Sequence, residues 1–167
     1  LDGMANGTVK LAWGLTEPDA GSDARRVQTK ATPISDRPGY FSLTGKKMFI
    51  TNAGKADLII MIANVDAPYS NDGKSAFLVE TNQAGFQNVE RIHTIGVSAS
   101  YTTAFDLENA VGWQTPCSFT DAIGLLYRGR LGIAAMALGI AEMAHELAAQ
   151  YSAQREQFNR RLCDMQS

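Results

Sequence analysis

Ten residues near the start of the chain, 14–23, combine a hydroxyl, a carboxylate and small side chains. They read Gly-Leu-Thr-Glu-Pro-Asp-Ala-Gly-Ser-Asp. The apolar run Val9 to Leu15 predicts a β-strand, which Pro18 must end because proline donates no backbone hydrogen bond. Gly21 is free to adopt the positive φ angles that turn backbone N–H groups toward an anion. A strand that ends in a hydroxyl and an anion nest suits a phosphate-bearing cofactor, and a plain loop between two strands is the alternative.

A second segment, residues 45–53, carries an aromatic ring and a hydroxyl two positions apart. It reads Gly-Lys-Lys-Met-Phe-Ile-Thr-Asn-Ala. Because side chains alternate along a strand, Phe49 and Thr51 are predicted to lie on the same side. A flat ring system would require such a pair, an apolar face next to a hydrogen-bonding group. An ordinary strand with one buried aromatic is the alternative interpretation.

The C-terminal part is dominated by a long apolar segment, Ser118 to Gln154. Its apolar residues recur at helical spacing, and Ser118 or Thr120 is placed to cap the helix. The stretch Leu131 to Ala144 is apolar almost all round, which predicts a helix buried on more than one side. Arg130 lies beside this stretch, where an unpaired charge is costly, so a fixed anionic partner is favoured over a side chain that reaches solvent.

Residues 9 to about 112 consist of short β-rich runs separated by turn-forming residues, roughly every 8 to 12 positions. This pattern predicts an antiparallel barrel or sandwich, and the change to helical spacing places a boundary near residues 112–118. The predicted strands are Val9 to Leu15, Arg26 to Ile34, Tyr40 to Thr44, Lys47 to Thr51, Leu58 to Asn64, Ala76 to Glu80, Gln87 to His93 and Thr102 to Leu107.

Composition limits the classes of function that the chain can serve. It has 167 residues, of which 45% are hydrophobic, enough for one sizeable core and the beginning of a second unit. The formal net charge of −2 disfavours nucleic acid as a partner, because nucleic-acid binding demands a basic face. No apolar run in the sequence approaches the roughly 18 to 20 residues that a membrane span needs, so no membrane-spanning helix is predicted.

Metal and nucleophile chemistry are also disfavoured by the spacing of the residues that would perform it. Cys117 and Cys163 lack Cys-x-x-Cys spacing, and His93 and His145 stand alone. A zinc site needs three or four clustered ligands, so no metal is predicted. Neither histidine accompanies a Ser or Cys nucleophile in a recognisable turn, which disfavours a hydrolase triad.

Taken together, the motifs resemble those of the acyl-CoA dehydrogenase family. Residues 16–23 are similar to its Thr-Glu-Pro-x-Ala-Gly-Ser-Asp signature and residues 45–53 to its second flavin segment. Residues 155–158, Arg-Glu-Gln-Phe, are similar to a third motif that follows a long helix. Three motifs in order and at the right separations form a specific signal. The resemblance extends from about Leu11 to Gln166.

The resemblance implies an α+β fold in a fragment of a larger chain. Residues 1–114 would form the antiparallel β-barrel or sandwich of a middle domain that binds flavin and acyl-CoA. Residues 115–167 would form the first long helix of a truncated, all-α bundle domain. The implied cofactor is FAD, and the residues implied to bind it are Trp13, Leu15, Thr16, Ser22, Phe49, Thr51, Arg155, Gln157 and Gln166.

Individual roles follow from the same resemblance. Thr16 would hydrogen-bond the pyrimidine side of the flavin, and Thr51 the N5 region. Ser22 would lie where pyrophosphate and acyl-CoA meet, and Tyr127 and Arg130 would face the substrate thioester. Substrate contacts are thus implied for Ser22, Tyr127 and Arg130.

At two positions the sequence departs from the motifs of the family. Phe49 stands where the family usually has Trp, which keeps the stacking surface but loses the indole N–H donor. Asn159 replaces a usual Gly at a turn, where Asn tolerates the left-handed conformation. Arg155 and Gln157 are implied to reach the FAD diphosphate of a neighbouring subunit.

The implied activity is oxidation of an acyl-CoA thioester to its 2,3-enoyl product, with a carboxylate removing the α-proton and hydride passing to flavin N5. Most members carry that base far C-terminal to Ser167. A minority place Glu just before the residue that matches Arg130, where this chain has Gly129. No catalytic residue is therefore predicted here, and the isolated chain is predicted to be inactive. Glu17 is predicted to hold its loop through backbone hydrogen bonds.

The implied partners are an electron-transferring flavoprotein as electron acceptor and further copies of the protein in a homodimer or homotetramer. The implied role is in fatty acid metabolism, in a bacterial cytoplasm or the mitochondrial matrix, and this piece shows no targeting segment. A same-fold acyl-CoA oxidase or flavin monooxygenase stays an alternative, as does a non-catalytic paralogue that binds flavin or acyl-CoA. The acyl chain length is not predicted.

Overall fold

A computed structural model describes residues 2–165, which divide into two compact units, Leu1–Ala122 and Ile123–Ser167. The first unit is rich in strands, and the second contains most of a long helix. The domain boundary placed after residue 114 from the sequence stays a prediction. The strands are β1 Leu11–Gly14, β2 Lys30–Pro33, β3 Tyr40–Thr51, β4 Leu58–Asn64, β5 Lys74–Glu80, β6 Phe86–Arg91, β7 Thr102–Ser118, β8 Glu156–Gln157 and β9 Arg160–Arg161; the helices are α1 Asp2–Ala5 and α2 Phe119–Gln154.

Strands β1 to β7 form one sheet in the order β1-β4-β2-β3-β7-β5, with β6 paired to β7. The 17-residue strand β7 pairs with β3, β5 and β6. Strand β4 also pairs with β5 along its whole length and meets β2 at one residue pair, Lys30 and Asn64. Most pairings are antiparallel, as predicted, whereas β1 and β2 run parallel to β4, so the sheet is mixed.

The core of this unit lies on the face of the sheet to which alternate residues point. In β3, Phe41 and Leu43 are buried, and Ser42 between them is only half-buried. Phe77 of β5 packs edge-on against Phe41, with the ring centroids 5.1 Å apart. This face of β3 continues toward residue 47, which places the second motif directly beside the core.

Two strands are longer than the sequence predicted. The predicted strands on either side of residues 44–46 are one strand, β3, and Gly45 lies at an irregularity in its register with β7 rather than in a hairpin turn. Strand β7 continues past Leu107 to Ser118 because its later residues pair with β3 and β5. Local pattern alone does not reveal such pairing, since the partners are distant in sequence.

Helix α2 begins at Phe119 and is capped by Ser118, as predicted. The Asp121 N–H donates to Ser118 Oγ at 3.1 Å, and the Ser118 N–H donates back to Asp121 Oδ2 at 3.0 Å. The sequence predicted a helix buried on more than one side. In the described part of the chain, however, its side chains beyond Ala122 are exposed or half-buried.

By length and composition alone, α2 would suffice to cross a membrane. The expectation that no apolar run is long enough does not hold on these two criteria. One such helix is weak evidence of a span, because the core helix of a soluble protein has the same length and composition.

Candidate functional site

The first motif forms a small closed loop, residues 15–20, directly after β1. The Glu17 N–H donates to the Ala20 carbonyl at 2.9 Å, and the Ala20 N–H donates to the Glu17 carbonyl at 3.2 Å. Leu15, Glu17 and Ala20 are buried, whereas Thr16 is half-buried. The loop is therefore anchored at three points, and the Thr16 side chain stays partly accessible between two of them.

This loop meets the second motif in space. The Met48 N–H donates to the Thr16 carbonyl at 3.0 Å, and Lys47 Nζ donates to the Leu15 carbonyl at 3.2 Å. The two segments that were predicted to serve one cofactor are thus joined by hydrogen bonds, although about 30 positions separate them in the sequence.

Phe49 occupies a bulge in β3. Its φ is 58°, a left-handed value that is unusual for a bulky residue, and the register between β3 and β7 breaks between Lys47 and Ile50. Phe49 is 56% exposed, Ile50 is buried and Thr51 is exposed, so Phe49 and Thr51 share the outward side as predicted. The alternative of a buried aromatic is wrong. Backbone strain that presents an aromatic ring to solvent is typical of a binding surface.

Trp13 and Thr16 carry hydrogen-bond donors that lack an acceptor within the described part of the chain. Among the described residues, no hydrogen bond uses the Thr16 N–H or hydroxyl. The Trp13 indole N–H, in the preceding strand, is buried without an acceptor within residues 2–165, which is rare in native folds. The donors of the half-buried Thr16, whose carbonyl is joined to the residue before Phe49, fit a ligand with carbonyl acceptors, as flavin has.

Behind the loop lies a buried ion pair that the sequence reasoning missed. The Lys47 side chain is fully buried, and its Nζ lies 2.6 Å from Glu17 Oε1. The same Nζ donates to the carbonyl of Ile62 at 2.8 Å and to that of Leu15. An ammonium group has three N–H donors, and all three find an acceptor here.

The Glu17 carboxylate accepts further hydrogen bonds, from the N–H of Gln28 at 2.5 Å and from the N–H and hydroxyl of Thr29 at 3.1 and 2.5 Å. The prediction that Glu17 holds the loop through backbone hydrogen bonds is confirmed. With its oxygens committed in this way, Glu17 is unsuited to act as a proton-abstracting base.

Charge and burial act against each other in this pair. Burial by itself raises the pKa of Glu17, but the attraction of the Lys47 ammonium and the hydrogen bonds from Lys47, Thr29 and Gln28 together lower it below its ordinary value. Burial lowers the pKa of Lys47, and the attraction of Glu17 opposes that shift. The three acceptors around Nζ require three N–H groups, so we assign Lys47 as the ammonium form.

A signal for Lys47 was present in the sequence. Phe41 and Leu43 point inward, and if residues 40–51 are taken as one strand, Lys47 has the same parity and falls on the buried face, ahead of the bulge that reverses the alternation before Phe49. Lysine is almost never fully buried without a partner, so this position predicts a buried carboxylate nearby. The pattern does not say which carboxylate, because the partner lies in a different segment.

We expect stability to fall as the pH drops through the folded-state pKa of Glu17. Since folding lowers this pKa from its ordinary 4.5, the carboxylate contributes stability that is complete above about pH 4.5 and is lost as the folded form becomes protonated. Glu17→Gln should remove this contribution and flatten the acid side of a plot of urea midpoint against pH. Glu90→Gln, at an exposed carboxylate of β6, is the control. An unchanged acid slope in Glu17→Gln would contradict the assignment.

The anion nest predicted after the loop is not formed at Gly21. The glycines with positive φ in the described part of the chain are Gly7, Gly39, Gly45 and Gly73. The loop is closed by the hydrogen bonds between Glu17 and Ala20, so Gly21 lies outside the turn and needs no special conformation. Ser22, which follows it, is exposed. Within residues 2–165, no three His, Cys, Asp or Glu side chains are grouped to hold a metal ion.

The second unit contains the other predicted contact residues. In α2, the Arg130 guanidinium lies over the Tyr127 ring, 4.8 Å from its centroid, and both side chains are exposed. Arg130 is therefore not a buried, unpaired charge, because its side chain is exposed and stacks on Tyr127. Gln166 lies outside the described residues.

A tight hairpin follows α2, with Arg155 directly before it and Gln157 in its first strand. Gln157 pairs with Arg160 across β8 and β9. Phe158 and Asn159 form the turn with φ of 53° and 58°, which confirms that Asn159 tolerates the left-handed conformation. The exposed side chains of Arg155 and Gln157 thus lie on a locally ordered element.

Comparison with known proteins decides the family. A family model described as "Acyl-CoA dehydrogenase, middle domain" matches residues 12–110, more than half of the chain. The chain belongs to the acyl-CoA dehydrogenase family. A second model, "Acyl-CoA dehydrogenase, C-terminal domain", matches residues 119–167 of this family member.

Individual relatives agree with this assignment. A short-chain-specific acyl-CoA dehydrogenase from Megasphaera elsdenii is 41% identical over 171 residues, covering 98% of this chain and 44% of the relative. The structure of butyryl-CoA dehydrogenase from Megasphaera elsdenii superposes with a TM-score of 0.82 at 39% identity, over 97% of this chain and 43% of that one. An acyl-CoA dehydrogenase from Bacillus anthracis, solved with FAD, gives a TM-score of 0.78 at 31% identity, over 92% of this chain and 27% of that one. The family member described here spans less than half the length of these relatives.

Proposed function

We propose that the protein to which this chain belongs is an FAD-dependent acyl-CoA dehydrogenase that oxidises an acyl-CoA thioester to the 2,3-enoyl-CoA. The observation that carries the proposal is the hydrogen bond from the Met48 N–H to the Thr16 carbonyl, 3.0 Å long, which joins the two motifs beside the outward ring of Phe49. FAD bound here supplies the hydride acceptor. Membership of the family and the FAD complex of a 31% identical relative support the choice of cofactor.

The residues of the first unit are each assigned to a different part of the FAD molecule. Phe49 offers an exposed apolar face to the ring, and Thr51 a hydroxyl on the same side. Thr16 offers an N–H and a hydroxyl to the pyrimidine carbonyls. Trp13 and Leu15 line the strand end that leads to Thr16. Ser22 is assigned to the place where the pyrophosphate and the acyl-CoA meet.

The residues of the second unit are assigned to the thioester of acyl-CoA and to the FAD diphosphate. Tyr127 and Arg130 face the thioester end of acyl-CoA, and the stacking of the guanidinium on the ring orders both side chains for this role. Arg155 and Gln157, together with Gln166, are assigned to the FAD diphosphate of a neighbouring subunit. The exposed positions of Arg155 and Gln157 on the hairpin support this assignment.

The assignment of partners follows from the family. Electrons pass from the reduced flavin to an electron-transferring flavoprotein, and the protein assembles as a homodimer or homotetramer in a bacterial cytoplasm or the mitochondrial matrix. We do not assign the α-proton base to Glu17, which is committed to its network, or to position 129, where Gly offers no side chain.

An anaerobic titration of the full-length protein with acyl-CoAs of increasing chain length tests the function. Flavin absorbance should bleach with one length class, which would establish α,β-dehydrogenation and identify the substrate. A flavin that stays oxidised with every thioester would contradict the proposal. Rapid reoxidation by oxygen without an electron-transferring flavoprotein would instead indicate an oxidase.

The Thr16 and Thr51 hydroxyls should each strengthen FAD binding. Thr16→Val and Thr51→Val remove one hydrogen bond apiece, so the dissociation constant for FAD should rise about 3- to 10-fold. Quenching of flavin fluorescence measures the constant. Thr32→Val, at an exposed position of β2, is the matched control. Affinities equal to that of the control would remove these hydroxyls from the site.

A further inference from the structure

We propose that Lys47 is a positioning residue of the flavin site, whose buried ammonium ties the Leu15 carbonyl to the Glu17 carboxylate and so fixes Thr16 between them. The inference rests on the proposed function, because it assigns the geometry of Thr16 to flavin binding. It adds a residue that contacts neither cofactor nor substrate and acts through the loop.

Hydrogen bonds from Lys47 and Met48 hold Thr16 and the residues on both sides of it. Lys47 Nζ lies 3.2 Å from the Leu15 carbonyl and 2.6 Å from Glu17 Oε1, so it holds the residues on both sides of Thr16. The carbonyl of Thr16 itself accepts from the Met48 N–H at 3.0 Å. Three consecutive residues of the loop are therefore held by two consecutive residues of β3.

This arrangement leaves the hydrogen-bond donors of Thr16 unused within residues 2–165. Among the described residues, the Thr16 N–H and hydroxyl make no hydrogen bond, although the Thr16 carbonyl does. The loop thus has its acceptors occupied by the protein and its donors at Thr16 left over. Fixed donors bind an acceptor ligand more tightly than mobile ones, because the ordering cost is already met on folding.

Two partners of Lys47 are themselves held in place by other parts of the fold. The third Nζ contact, to the Ile62 carbonyl at 2.8 Å, reaches β4, which is the partner strand of β1. Glu17 is held in turn by Thr29. A Cβ atom on Gly45 would lie 2.5 Å from Thr29 Oγ1, so the glycine is what allows β3 and Thr29 to approach. Two of the three partners of Lys47, Glu17 and the Ile62 carbonyl, are thus held by a second part of the fold.

A buried charge is a costly way to stabilise a fold, since well-packed apolar residues often do as well or better. An apolar side chain at position 47 would fill the space, but it could hold neither a carbonyl nor a carboxylate. The ion pair therefore points to geometry rather than stability as the role of Lys47.

The test compares Lys47→Met with Val79→Ala in the full-length protein. Val79 is a buried residue of β5, which pairs with β4 and β7 and not with β1, so its truncation lowers stability without touching the loop. Two quantities are measured under conditions where both variants are folded: the dissociation constant for FAD, and the hydrogen-exchange rate of the Met48 amide in the absence of FAD. Relative to Val79→Ala, Lys47→Met should raise each by at least tenfold.

Equal values in the two variants would overturn the proposal and make Lys47 merely structural. Should Lys47→Met not fold, Glu17→Gln replaces it, with Glu80→Gln at an exposed carboxylate of β5 as its control. Glu17→Gln should raise both quantities about threefold, and no difference from its control would overturn the proposal. A wild-type protein that takes up no FAD, yet shows the Lys47 effect on exchange, would overturn the proposed function and leave the role of Lys47 in the loop intact.

Discussion

Replacing Lys47 with Met should lower the free energy of unfolding by about 3–5 kcal/mol. The substitution leaves the Glu17 carboxylate buried without its counter-charge and removes the donor from the carbonyls of Leu15 and Ile62. Loss of one partner of a buried pair is costly because the other charge cannot return to water. Urea unfolding at pH 7 measures the difference from the wild type.

The neighbouring lysine provides a matched control. Lys46 Nζ lies 3.2 Å from Asp106 Oδ1, but the lysine side chain is 69% exposed. Exposed pairs contribute little, so Lys46→Met should change stability by about 0–1 kcal/mol. Similar losses in the two variants would show that the pair at Lys47 is not the buried network described here. The double variant Glu17→Gln, Lys47→Met should regain part of the loss, because it no longer buries an uncompensated charge.

Gly45→Ala should also destabilise the protein strongly, by about 1–3 kcal/mol. The added methyl group would lie 2.8 Å from the Cα of Thr29 and still closer to its hydroxyl, so backbone as well as side chain must move. Movement of Thr29 loosens the two groups that it donates to Glu17. The variant should therefore lose FAD affinity as well as stability, which thermal unfolding and flavin fluorescence measure together.

Gly21→Ala is the control for this prediction. A Cβ atom on Gly21 meets nothing within 4 Å, and the residue has no positive φ, so its stability should stay within about 0.5 kcal/mol of the wild type. A Gly45→Ala variant as stable as Gly21→Ala would contradict the close approach of β3 to Thr29.

Sequence reasoning succeeded where the signal is local. Strand β4 was predicted with its observed bounds because it is a continuous apolar run between polar segments. The start of helix α2 was predicted within one residue and its last residue was predicted correctly. Both the spacing of its apolar residues and its Ser118 cap can be read from residues close together in the sequence. The family motifs likewise predicted that the two segments now seen joined by the Met48–Thr16 hydrogen bond serve one cofactor, although they did not predict the bulge.

Sequence reasoning failed for features that depend on contacts between residues far apart in the chain. The partner of Lys47 lies 30 positions away, so no local pattern names it. The left-handed backbone and the outward side of Phe49 both depend on the bulge against β7, because unbroken alternation from Phe41 and Leu43 would place Phe49 inside. The length of β7 depends on three separate partner strands.

The placement of the two tryptophans of the chain gives it an optical reporter. Trp13 belongs to β1, three residues before Thr16, whereas Trp113 is 42% exposed in β7 and pairs with Tyr40. Oxidised flavin absorbs where indole emits, so a flavin seated at Thr16 should quench the emission of Trp13 by energy transfer. In a Trp113→Phe variant of this chain the remaining emission comes from Trp13, and its intensity would follow cofactor loading without any added dye.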